Sequence, residues 1–246
     1  MAKSSREHVY GLNPAFELLR AGKRRVYSAH LNEGMRDNTR VKKLLGVLER
    51  GNVEIEWTDK GRLMQVSGSR DHQGVVLKTS LYPYAEFDEL LGVPRMLMLD
   101  NVEDPHNVGA ILRSAEVFGF TSVCLPKKGV PEIYPSVVKV SAGATEFMKI
   151  CRSDSANGYA RKAAEAGYRV LTASPTSGHE IALILEKVAT PPDTYKYLLL
   201  ATTKTGTMQR ELEEAATAGF RLVPDTMISK KMAGIPWSNL QRNLLN

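Results

Sequence analysis

The sequence predicts an α/β protein built from two units. Three observations carry that expectation. Residues 8 to about 78 alternate short helical and strand-like segments, and residues 96 to 118 run from an apolar strand through a polar turn into an amphipathic helix. Between them, TSLYPYAEFDELLGVP (79 to 94) holds two prolines, three aromatics and an acidic cluster, the composition of an interdomain linker. At 246 residues the chain is long enough for two modest domains with their own cores.

The first unit, residues 6 to 78, reads as helix, strand, helix, strand, helix, strand. Asn13 to Arg20 suits a helix with Asn13 as N-cap and Pro14 in its first position. Val26 to Leu31 is a strand, Asn38 to Arg50 a helix ended by Gly51, Val53 to Trp57 a strand, and Gly74 to Lys78 the last strand. His72-Gln73-Gly74 reads as a polar turn before it.

The second unit opens with Arg95 and a buried parallel strand, Met96 to Leu99. Asp104-Pro105 makes a turn, and residues 107 to 118 form a helix ended by Gly119, with Ala110, Ile111, Ala115 and Phe118 as one apolar face. Ser122 to Leu125 is the next strand. The small residues Ser141, Ala142, Gly143 and Ala144 suit close helix packing or the approach of a strand or ligand equally well. This first half is taken as 95 to 154. Residues 155 to 230 read as a further α/β module: helix 155 to 166, strands 168 to 173, 180 to 187 and 195 to 201, helix 206 to 218 and strand 220 to 223, with a loop at Pro191-Pro192. Within it AAEAGYRV (163 to 170) and AATAGFRL (215 to 222) agree at five of eight positions, which suits either two related halves or the generic order helix, Gly, strand.

The 33 Lys and Arg against 27 Asp and Glu leave a net charge of +6, which favours an anionic partner. Basic residues recur inside folded-looking sequence, at Lys23-Arg24-Arg25, Arg40 to Lys43 and Lys127-Lys128. Arg24, Arg25, Arg40 and Lys42 are candidate phosphate contacts, and a solvated basic face is the plainer account of each. Cys124 and Cys151 each sit in or beside an apolar run without a partner at metal spacing, as reduced core residues in a reducing cytoplasm would. No apolar run reaches membrane length, and the N-terminus lacks a hydrophobic signal core.

The chemistry concentrates in LDNVEDPHNVGAILRSAEVFG, residues 99 to 119. Asn107 and Arg113 stand six residues apart, a spacing that lets both face a cleft beyond the strand's carboxyl end. The block resembles the first motif of the SpoU/TrmH family of RNA ribose methyltransferases, DPxNxGxxxR. HVYGLNPAFELLRAGKRRV and DHQGVVLKTS are similar to the RNA-binding domain that precedes the methyltransferase domain in many members, and SAGATEF is similar to the segment downstream of the motif.

The resemblance implies a SPOUT-like α/β domain after a small RNA-binding domain, and 2′-O-ribose methylation of ribosomal or transfer RNA with S-adenosyl-L-methionine as donor. It also implies a homodimer where the C-terminal knot through which members pair is intact. Asn107 and Arg113 become the catalytic candidates. A guanidinium with a pKa above about 12 is a poor base, so Arg113 is expected to bind phosphate and stabilise the developing alkoxide, while Asn107 holds Arg113 or the backbone.

The family's second and third motifs are not intact. In YLLLATTKTGTMQREL (197 to 212), Ala201 and Thr203 stand where the family has glycine and glutamate, and GIPWSNLQRNLLN (234 to 246) keeps only Ile235-Pro236 and Ser238-Asn239. The knot is therefore expected to be altered or absent, and no cofactor-binding residue is assigned. A non-catalytic RNA-binding protein derived from the family is the alternative.

Overall fold

The computed structural model describes residues 5 to 175, 180 to 188 and 205 to 219. The first unit contains β1 (Arg6–Tyr10), α1 (Leu12–Ala21), β2 (Val26–Asn32), α2 (Thr39–Arg50), β3 (Glu54–Thr58), α3 (Lys60–Ser67) and β4 (Val75–Ser80). Its sheet has the order β1-β4-β2-β3, with β4 antiparallel to β1 and β2, and β2 parallel to β3. Alternation along the strands sends Val9, Ala29, Leu31, Val75 and Leu77 into a core with Leu18 of α1 and Val41, Leu44 and Leu48 of α2. The opposite face places Tyr10 and Val76 under Leu63 of α3.

Strand β1 was not foreseen in the sequence, and its presence changes how α1 begins. The helix starts at Leu12 behind Gly11, whose φ of 103° a non-glycine residue rarely adopts. Asn13 is inside the helix and is not its N-cap; its Oδ1 instead accepts from Nη2 of Arg40 at 2.6 Å. The acceptor for the helix's first N–H comes from 61 residues away: Leu12 N donates to Oε1 of Gln73 at 3.2 Å. Gln73 (φ 51°) and Gly74 (φ 75°) carry the chain past Met35, whose Sδ would lie 2.1 Å from a Cβ at Gly74. The His72-Gln73-Gly74 turn is thus a brace between β4 and α1. By contrast Asn38 caps α2 directly, accepting from Arg40 N and Val41 N.

The second unit contains β5 (Arg95–Asp100), α4 (Pro105–Val117), β6 (Ser122–Cys124), α5 (Pro135–Val140), β7 (Lys149–Cys151), α6 (Ala156–Glu165), β8 (Tyr168–Pro175) and β9 (Ile181–Lys187), followed by α7 (Thr205–Thr217). The sheet order is β7-β6-β5-β9-β8. β5, β6 and β7 are parallel, and β9 runs antiparallel to both β5 and β8. Both faces of β5 are covered, which explains its unbroken apolar run: Leu97 and Leu99 pack with α4 and α5, Met96 and Met98 with Tyr159, Ala160 and Ala163 of α6. Cys124 and Cys151 are free, buried and paired in register across β6 and β7. Burial raises the Cys124 thiol well above its ordinary pKa.

The two units share one continuous apolar core. Tyr82, Phe87 and Leu90 from the connecting segment are buried, and Ala85 bridges to Cys151. Gly143, at φ 91°, lies so close to α1 that an added Cβ would come within 2.6 Å of Cβ of Glu17. Of the two readings of the small-residue run, close helix packing is the one the structure adopts at this position.

Both helices in the 163/215 resemblance end the same way, Gly167 at φ 83° and Gly219 at φ 84°. The expected strands at 195 to 201 and 220 to 223, the Pro191-Pro192 loop and residues 234 to 246 lie outside the described residues, as do 197 to 204 of the altered second motif.

Candidate active site at the carboxyl end of the central strand

β5 ends at Asp100, and the chain turns at Asn101 (φ 53°) toward α4. Asp104 is the N-cap: its Oδ1 accepts from His106 N at 2.8 Å, and Pro105 occupies the first helical position, where a missing N–H costs nothing. This cap fixes the helix register. Val108, Gly109, Leu112 and Ala115 face inward, and of the face expected from sequence only Ala115 is buried. Ala110 is exposed, Ile111 is half-buried and Phe118 is 79% exposed, because starting the helix at Pro105 places the core stripe at 108, 112 and 115. Ala110 and Ile111 instead line a shallow apolar groove with Leu97, Phe120 and Ile184.

Asn107 falls in the first turn. Its Nδ2 donates to Glu180, at 3.0 Å to Oε2 and 3.3 Å to Oε1. Glu180 is 9% exposed and immediately precedes β9. The antiparallel register sets Ile181 opposite Asp100, so the start of β9 delivers the carboxylate to the end of β5. Arg113 does not share this flank. Six helical residues rotate a side chain to about 120° away and advance it about 9 Å, so Asn107 faces β9 while Arg113 points past Gly109 toward the α5 side. Arg113 is exposed and makes no hydrogen bond or ion pair among the described residues. The expectation that Asn107 holds Arg113 is therefore replaced: Asn107 holds Glu180.

The loop after β6 forms the next wall. Gly129 (φ 75°) presses on Asn101, leaving 2.6 Å between an added Cβ and Oδ1 of Asn101. Nη2 of Arg152 donates to the carbonyls of Lys127 and Val130, both at 2.9 Å. Ile133 N donates to the Tyr84 hydroxyl at 2.7 Å, and burial pushes that phenol up to about 12. Lys127 and Lys128 remain exposed on this braced loop.

The four candidate RNA contacts separate. Arg24 is 5% exposed and is a structural residue: Nε donates to Oε2 of Glu146 at 3.0 Å, Nη2 is 2.8 Å from Oε1 of the same carboxylate, and Nη1 pairs with Glu7. Its guanidinium carbon stands 4.8 Å from the ring centre of Tyr82, whose hydroxyl donates to the Thr145 carbonyl at 2.8 Å. Arg24 is therefore spent on joining the two units, which corrects its assignment as a phosphate contact. Arg25, Arg40 and Lys42 are exposed; Lys42 pairs with Asp37 at 3.0 Å.

Sequence reasoning missed Glu180. An acid before an apolar strand is unremarkable, and nothing local ties it to an asparagine 73 residues earlier. No cluster of three or more His, Cys, Asp or Glu that could hold a metal occurs among the described residues.

A profile of the SpoU rRNA methylase family matches residues 94 to 222, more than half the chain. The chain belongs to that family. A second profile, RNA 2′-O ribose methyltransferase substrate binding, matches residues 8 to 85. The 23S rRNA (guanosine-2′-O-)-methyltransferase RlmB of Pseudomonas syringae is 37% identical over 154 residues, covering 60% of this chain and 61% of that protein. An uncharacterised tRNA/rRNA methyltransferase of Synechocystis is 28% identical over 158 residues, covering 61% of this chain and 41% of that protein. The matches thus span about two fifths to three fifths of those relatives. An rRNA methyltransferase from Sinorhizobium meliloti shares the fold with a TM-score of 0.52 at 17% identity, covering 66% of this chain and 60% of that one. A crystal structure of an RNA 2′-O ribose methyltransferase gives 0.51 at 23% identity, covering 61% and 56%. The SpoU architecture therefore holds for the α/β domain, and among the described residues no helix is long and apolar enough to cross a membrane.

Proposed function

We propose that this SpoU-family chain transfers the methyl group of S-adenosyl-L-methionine to a ribose 2′-hydroxyl of ribosomal or transfer RNA in the cytoplasm. One observation carries the reading: the Asp104-capped helix that bears the family's Asn107 and Arg113 stands beyond the carboxyl end of β5, with Asn107 fixed by Glu180 and Arg113 exposed. The first unit would receive the RNA substrate, and the active assembly implied by the family resemblance is a homodimer.

Asp100 at the end of β5 and Glu180 before β9 match in sign the sulfonium and ammonium groups of the donor, and no described residue is assigned to hold it. When bound, the donor supplies an electrophilic methyl group. The Arg113 guanidinium binds a phosphate beside the target ribose and lowers the energy of the negative charge growing on the 2′ oxygen. The hydroxyl proton leaves to water or to a substrate phosphate. Asn107, held by Glu180, fixes the first turn of α4 and so the position from which Arg113 projects.

Calorimetric titration with S-adenosyl-L-methionine tests the reading. Micromolar binding, retained by Arg113→Ala, supports it. A folded protein that releases no heat overturns the autonomous enzyme and leaves a non-catalytic RNA-binding protein.

A further inference from the structure

The outer face of the first sheet is only partly covered. α3 seals one end, where Leu63 meets Tyr10 and Val76. Beyond it, alternation and register place Arg6 and His8 of β1, Ser28 and His30 of β2, and Lys78 of β4 on the same face, with His8 and Ser28 each opposite Lys78. Tyr27 sits at the irregularity where β2 leaves β4. Two guanidiniums stand over its ring, Arg6 at 4.2 Å and Arg25 at 5.1 Å from the centroid. Arg25 is anchored to the strand end by its backbone, which exchanges bonds with Ser80. Among the described residues, the second unit meets the first through α5 and the Ala144–Phe147 turn against β1 and α1.

The charge pattern points to an anion. His8 lies within electrostatic reach of both His30 and Lys78, and burial together with these two neighbours depresses its pKa. Among the described residues, Glu56 on the neighbouring strand β3 brings a carboxylate to 2.9 Å from Nδ1 of His30. Folding therefore gathers the cationic Arg6, Arg25 and Lys78 beside an aromatic ring, with the imidazole of His8 as a hydrogen-bonding neighbour, an arrangement that favours a phosphate chain carrying planar bases.

We propose that this face, built from Arg6, His8, Arg25, Tyr27 and Lys78, binds single-stranded RNA, with phosphates at Arg25, Lys78 and His8 and a base stacked on the arginine–tyrosine layer. The inference rests on the RNA reading above and gives that reading a surface. The strip is bounded by α3 at one end and by the acidic strand β3, with Glu54 and Glu56, along one side; it suits a flexible strand better than a rigid duplex.

Fluorescence anisotropy of the full chain tests this with a labelled 20-nucleotide single-stranded RNA and, as competitor, a matched duplex. The double variant Arg25→Gln/Lys78→Gln should bind about tenfold more weakly, and its log affinity should fall less steeply with log salt, by about 0.7 per lost phosphate contact. Tyr27→Ala should lose on the order of tenfold through stacking, and Tyr27→Phe should restore most of it. Arg50→Gln, at the end of α2, should bind like the parent. Folded sheet-face variants that bind as the parent does, a loss confined to the α2 variant, or equal competition by the duplex would each overturn the assignment while leaving the RNA reading intact. A parent chain that binds neither RNA at low salt would overturn both.

Discussion

Asn107 on α4 donates from one amide nitrogen to both carboxylate oxygens of Glu180, 73 residues later in the chain. The contact joins the family's signature helix to the antiparallel strand β9 and does not involve Arg113. A hydrogen bond to a charged group is worth about 1.5 to 3 kcal/mol, and removing it should lower kcat by roughly tenfold to a hundredfold if Asn107 must be held for the helix to present Arg113. Glu180→Ala is expected to show that loss in steady-state methyl transfer with KM for RNA nearly unchanged. Glu180→Gln, which can still accept the bond, should recover much of it.

Arg24 makes a different prediction from the one its sequence neighbourhood suggests. Breaking a buried pair by removing one partner strands the other charge, at a cost of about 3 to 5 kcal/mol. Glu146 is buried and Glu7 half-buried, and burial already raises their pKa values against the opposing pull of Arg24. Arg24→Ala should therefore lower the urea midpoint substantially, whereas Arg25→Ala, one residue away and exposed, should leave it almost unchanged.

Gly143→Ala is expected to destabilise the junction of the two units by about 2 kcal/mol or more, since the residue would need a left-handed backbone and would drive its Cβ into Glu17. Differential scanning calorimetry reads this as a lower Tm. An equivalent change at Gly22, which has a left-handed backbone but open space around it, should cost only the backbone part.

The pH dependence of folding should carry a signature of His72. This side chain is buried, its Nδ1 accepts from Gly74 N at 3.0 Å, and burial holds its pKa below the ordinary histidine value. Protonation would replace that acceptor with a donor facing an N–H. Because the unfolded chain takes the proton more readily, stability that is fully present above about pH 6.5 is lost as pH falls from there through the lower folded value. His8, shifted the same way, adds to the slope. His72→Asn, which keeps an acceptor and cannot titrate, should flatten the decline in urea midpoint between pH 7.5 and 5.5.

Much of this architecture is legible in the chain because local signals and tertiary structure agree. The strand at Arg95–Asp100 is apolar without interruption because helices cover both faces, and Asn38 announces α2 by capping it. Legibility fails where distant residues decide. Asn13 looks like a cap, yet β1 pins Gly11 and Gln73 supplies the acceptor across 61 residues. Arg24 sits in a basic triplet, yet Glu146, 122 residues away, withdraws it from solvent. The six-residue interval from Asn107 to Arg113 suggested one shared cleft; once Asp104 sets the helix start, the same interval separates the two side chains around the axis.

The most direct test of the central claim is methyl transfer itself. Incubation of the purified chain with methyl-labelled S-adenosyl-L-methionine and unmodified bacterial ribosomal RNA, or a transfer RNA pool, should place label at a phosphodiester that resists alkaline cleavage, as a 2′-O-methylated ribose must. Arg113→Ala should reduce the rate by at least about a hundredfold while cofactor binding persists, in line with removal of a charge that stabilises the transition state. Label that stays alkali-sensitive, or transfer that proceeds undiminished in the Arg113→Ala variant, would contradict the account.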